Sequence, residues 1–117
     1  MKPYTYNFTI QQGETFRRTF INESEELDLA DYESVRMQIR SRPQDQTIIW
    51  DSEVDGLLEL QADRIVLIIS AELTAAFNFT TAGYDIELVK ADGTVEKLAR
   101  GAISLVREYT KVQEISA

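Results

Sequence analysis

Apolar and polar side chains alternate, residue by residue, along most of this chain. A period of two is the repeat of a β-strand, whose successive side chains point to opposite faces, and not that of a helix. Tyr4, Tyr6, Phe8 and Ile10 alternate with Thr5, Asn7 and Thr9. They predict one half-buried strand rich in aromatic and β-branched residues. Gln12-Gly13 interrupts it. Residues 14–21 predict a second strand, with Phe16 and Phe20 on one face and Arg17 on the other. Arg18 falls between the two phenylalanines, which sets it at a sheet edge or lays its stem over the core. Val35, Met37 and Ile39 against Arg36, Gln38 and Arg40 predict a third strand over residues 33–41.

The remaining segments are punctuated in the same style. Residues 22–31 are polar and acidic, but Leu27 and Leu29 are spaced to dock into a core. Pro43-Gln44-Asp45-Gln46 and Asp55-Gly56 read as turns on either side of a short strand, Thr47-Ile48-Ile49-Trp50-Asp51. Leu58 and Leu60 then alternate. The run Ile65-Val66-Leu67-Ile68-Ile69 suits a central strand covered on both faces, or a subunit contact. In Ser70-Ala71-Glu72-Leu73-Thr74-Ala75-Ala76-Phe77 a capping serine precedes good helix formers. Tyr84, Ile86 and Leu88 face away from Asp85 and Glu87, and Ala91-Asp92-Gly93-Thr94 makes a hairpin turn into a last strand over residues 94–109. Gly101 within that strand suggests a bulge. The expected fold is all-β, an Ig-like or related β-sandwich of about eight short strands with one short helical turn near residues 71–77. Residues 1–110 form a single domain, and residues 111–117 a flexible C-terminal tail.

Composition narrows the chemistry. A chain of 117 residues suffices for one core. It has no Cys and no His, which removes disulfides, thiolate zinc sites and the commonest general base and metal ligand. A net charge of −8 argues against nucleic acid as a partner. No apolar run reaches the length of a membrane span. Met1-Lys2-Pro3-Tyr4-Thr5-Tyr6 lacks the apolar stretch of a signal peptide, so synthesis and retention in the cytoplasm are expected. Asn7-Phe8-Thr9, Asn22-Glu23-Ser24 and Asn78-Phe79-Thr80 match the glycosylation acceptor pattern and read as chance.

Few residues invite a functional reading. Asp51-Ser52-Glu53-Val54-Asp55-Gly56 resembles the first half of a calcium loop, but Ala62 stands where a bidentate Glu is required. A solvated turn explains it better, and no metal or cofactor is expected. Asp85 and Glu87 share a face, as paired carboxylates of a glycosidase would, although two acids on one strand are usually its wet side. Arg36, Arg40 and Arg42 form a basic stripe suited either to an acidic partner or to pairing with Asp85 and Glu87. Trp50 and Tyr84 are candidates for contact anchors, with core packing the alternative for each. Arg36, Arg40, Trp50 and Tyr84 are thus the interface candidates. No phosphate-binding loop or Ser–Lys arrangement stands beside them, and no catalytic residue is identified.

The order of short motifs resembles that of small β-sandwich proteins from phage and prophage tail regions. The motifs are Ile10-Gln11-Gln12-Gly13-Glu14-Thr15-Phe16, Leu27-Asp28-Leu29-Ala30-Asp31-Tyr32, Arg36-Met37-Gln38-Ile39-Arg40, and the closing Gly83-Tyr84-Asp85-Ile86-Glu87-Leu88, Asp92-Gly93-Thr94-Val95 and Arg100-Gly101-Ala102-Ile103-Ser104-Leu105. The nearest pattern is the N-terminal domain of phage baseplate upper proteins, without the long C-terminal extension of a receptor-binding fibre. The resemblance implies a non-enzymatic virion structural protein of the tail, baseplate or neck. Such a part is made in the bacterial host cytoplasm, and assembles with copies of itself and with other virion proteins. The alternative is a carbohydrate-binding β-sandwich module.

Overall fold

The computed structural model describes residues 3–111. Its strands, in chain order, are β1 (Tyr4–Thr5), β2 (Phe8–Gln11), β3 (Phe16–Ile21), β4 (Ser34–Arg40), β5 (Trp50–Asp51), β6 (Leu57–Leu60), β7 (Arg64–Ile69), β8 (Thr81–Val89) and β9 (Val95–Val106). A short helix, α1 (Ala71–Ala76), links β7 to β8. The larger sheet runs β1-β9-β8-β4-β5, with β2 also paired to β9. The smaller sheet runs β3-β7-β6. The fold is therefore all-β and sandwich-like, as the alternation predicts. Apart from Lys111, the expected tail lies outside the described residues.

The two sheets share one core. Ile10, Met37, Ile39, Trp50, Ile86, Leu88 and Ile103 enter it from the larger sheet, and Phe16, Ile65, Leu67 and Ile69 from the smaller. Each fully buried aliphatic side chain contributes roughly 1.5–3 kcal/mol. Leu29 is buried in a 3-10 turn capped by the Asp28 carboxylate, and Leu27 packs against the core beside it. The acidic loop thus docks through its two leucines. The Ser70 side chain accepts from the Leu73 amide and caps α1. Thr74 of that helix is fully buried; its Oγ1 accepts from the Gly13 amide at 3.1 Å and donates to the Glu14 carbonyl at 2.9 Å. The helix thereby clamps the turn by which the chain crosses from one sheet to the other.

Several local expectations change. The first strand is two, because backbone pairing with β9 is interrupted at Asn7: the Tyr6 amide still donates to the Arg100 carbonyl at 2.9 Å, but the Asn7 Oδ1 replaces a backbone carbonyl and accepts from the Ala102 amide at 2.9 Å. Tyr4 and Tyr6 are exposed rather than buried. The register irregularity in the β8–β9 hairpin falls between Ile86 and Glu87, opposite Leu98 and Ala99, and not at Gly101. Gly101 makes room instead: an added β-carbon there would lie 1.9 Å from the Tyr6 carbonyl oxygen. Of the strand expected at residues 47–51 only Trp50–Asp51 pairs, and the last strand stops at Val106. The run in β7 is fully buried on one face only: Ile65, Leu67 and Ile69 are buried, whereas Val66 and Ile68 remain half-buried.

Candidate protein-docking surfaces

The outer face of the larger sheet is charged and internally paired. Arg36 stands directly across from Glu87 in the β4–β8 register, and its Nε donates to the carboxylate at 2.7 Å. From β9, the Lys97 Nζ reaches the same Glu87 and also Asp85, the latter at 3.1 Å. Burial opposes the Glu87 charge, but hydrogen bonds from Lys97 and Arg36 outweigh it and hold the carboxyl below the usual carboxylate range. The bond to Glu87 raises Lys97 in turn. A carboxyl held low remains ionised at neutral pH and is unsuited to general-acid work. Cross-strand pairing, one of the two readings of the basic stripe, therefore accounts for Arg36.

Arg40 and Arg42 are occupied closer to home. Arg40 donates to the Asp45 carbonyl and to Gln38 Oε1, and Arg42 pairs with the Asp45 carboxylate at 3.0 Å. Both brace the turn after β4. An open groove of about 750 Å³ crosses this face, lined among others by Asn7, Gln38, Arg40, Asp85 and Arg100.

Trp50 and Tyr84 are not surface anchors. Trp50 is fully buried, with its ring so close to Gly56 that an added β-carbon would come within 2.5 Å of it. Its Nε1 has no hydrogen-bond partner among the described residues. Tyr84 is 6 % exposed and donates its hydroxyl proton to the Tyr6 carbonyl; burial, with Tyr6 nearby, pushes its pKa up to about 12. Both rings face inward because their strand positions share the parity of the core residues Ile39 and Ile86, opposite and beside them.

The calcium-like string is a self-capped turn. The Asp55 carboxylate accepts from the Asp51 amide at 2.9 Å, and the Asp51 carboxylate accepts from the Glu53 amide at 3.0 Å and from Gln38. Among the described residues no cluster of three or more acidic side chains is placed to hold a metal ion.

The smaller sheet presents a different outer face. Its register sets Ile68 between Arg17 and Leu57, and Val66 between Thr19 and Glu59. Ile21 and Leu57 are exposed, at 57 % and 45 %. The result is an apolar stripe with Arg17, Glu59 and Arg64 at its margins. Beside it, Tyr4, Tyr6, Phe20, Ile21 and Leu27 line a second open groove of about 750 Å³ between the β1 and β3 sides of the sandwich. Arg18 packs on the aromatic side chains next to it. Its guanidinium lies 5.9, 6.0 and 5.4 Å from the ring centres of Tyr6, Phe8 and Phe16, and Nη1 donates to the Tyr6 hydroxyl at 2.8 Å. Both placements predicted for Arg18 are observed, because β3 is an edge strand of its sheet and the side chain lies over these core rings. This stripe and groove escape sequence reasoning because they depend on which strands become neighbours. The unbroken run in β7 was the one signal for them.

Compared with known proteins, the chain matches no family model and no curated protein.

Proposed function

We propose that this chain is a non-enzymatic structural component of a bacteriophage virion, from the tail, baseplate or neck, working by protein–protein assembly with itself and with other virion proteins. The observation that carries the assembly reading is the uncovered apolar stripe Ile21, Val66, Ile68 and Leu57 on the smaller sheet. Contiguous exposed apolar surface on a soluble domain marks a contact site. The virion assignment rests on the ordered motif resemblance. The paired state of Asp85 and Glu87 supports the non-enzymatic reading, because both acids are engaged by basic neighbours.

A sugar-binding platform receives less support. It requires exposed aromatic rings lying in one plane. Here Trp50 is buried, and the exposed Tyr6 packs its ring against Phe8 and, edge-on, Phe20. Co-expression with the proteins encoded beside it tests the proposal. A stoichiometric complex of defined mass is the expected result. Failure to associate with any of them, together with heat release on titration with oligosaccharides, would replace the assembly reading with the carbohydrate-binding one.

A further inference from the structure

We infer that the free edge of β3 is a seam between two copies of this chain, at which their smaller sheets join antiparallel about Thr19. The inference rests on the assembly reading above and names the partner and the contact.

β3 ends its sheet, with β7 on one side and, among the described residues, no strand on the other. The Asn22 amide donates to the Asp63 carbonyl at 2.8 Å, in phase with the β3–β7 register. In an antiparallel ladder the direction of the backbone groups alternates. Phe16, Arg18 and Phe20 therefore bond to β7, while the amides and carbonyls of Arg17, Thr19 and Ile21 point away from it. An edge with its backbone groups unpaired is a template for another strand, and natural proteins guard such edges with proline, bulges, charged side chains or a covering segment. β3 has no proline, and its register with β7 is unbroken over all six residues.

The sequence of β3 is complementary to itself in one register. Centring on Thr19 is the only alignment that engages all three outward residues of both copies. It sets Thr19 against Thr19 and Arg17 against Ile21 of the second copy, so no like charges meet. Thr–Thr and arginine–aliphatic neighbours are acceptable cross-strand pairs. One step on, Arg17 lies diagonal to Glu23 of the second copy, and neither residue has an ion-pair partner within its own chain among the described residues.

The test is the mass of the full chain in solution, by sedimentation equilibrium from micromolar to millimolar concentration. Twice the chain mass is expected. T19P removes an amide donor that β7 does not use, so the fold keeps its ladder, and the mass should fall to that of one chain. R17E should raise the dimer dissociation constant about tenfold, and R17E combined with E23R should restore association. A chain monomeric at every concentration, or a dimer indifferent to T19P and to charge reversal, overturns the seam. If that monomer still assembles with proteins encoded beside it, the assembly reading stands and only the seam is lost.

Discussion

The carbonyl oxygen of Tyr6 occupies the space that a side chain on Gly101 would need. An added β-carbon would lie 1.9 Å from that oxygen and 2.9 Å from Asn7 Oδ1. Backbone on one strand thus fixes residue type on its neighbour. The same carbonyl accepts the Tyr84 hydroxyl proton, so the link between β1 and β2 meets both β8 and β9 at this point. Gly101→Ala must push β1 and β2 off β9. A loss of about 1–3 kcal/mol is expected, as for other overpacked sites, read as a lowered urea midpoint with an unchanged slope. An unchanged midpoint would show that the contact yields freely.

Trp50 is the only tryptophan and is fully buried. Its fluorescence should be blue-shifted and insensitive to acrylamide in the folded chain, shifting red on unfolding. Trp50→Ala should cost about 3–5 kcal/mol. Trp50→Phe should cost distinctly less, because the indole Nε1 has no hydrogen-bond partner to lose among the described residues. Equal losses for the two variants would contradict this account.

Thr74 holds α1 to the β2–β3 crossing through one hydroxyl that both accepts and donates. Thr74→Val keeps the volume but strands the Gly13 amide and the Glu14 carbonyl. The expected cost is about 1–3 kcal/mol. Hydrogen exchange at the Gly13 amide should accelerate more than exchange in β8, which does not touch this clamp.

The ion pairs on the larger sheet set an acid limit. Glu87 has a folded pKa below its ordinary value of 4.5, held there against burial by Lys97 and Arg36. Its contribution is therefore whole above the ordinary carboxylate range and is lost as pH falls through the lowered folded value. Glu96 behaves alike, because the Tyr32 hydroxyl donates to it at 2.6 Å. Denaturation midpoints should be flat near neutrality and decline below about pH 4.5, the unperturbed value for glutamate. Glu87→Gln should flatten part of that decline while costing about 1 kcal/mol or less at pH 7, as expected for a half-exposed pair. A variant with the same acid profile as the parent would show that Glu87 does not carry the effect.

Strand existence, the docking of Leu27 and Leu29, the Ser70 cap and the inward parity of Met37, Ile39, Ile86 and Leu88 were all legible in the linear order of residues. Each depends on neighbours within a few positions, and a period of two assigns faces without knowing what lies opposite. Pairing is a different matter. That β2 runs parallel to β9 joins Phe8 to Ile103, residues far apart in the chain, and no local pattern encodes it. The reason for Gly101, the exposure of Tyr4, the open face beside β7 and the free edge of β3 all follow from which strands found each other. Those choices are settled by burial and backbone pairing summed over the whole molecule, so only the folded chain decides them.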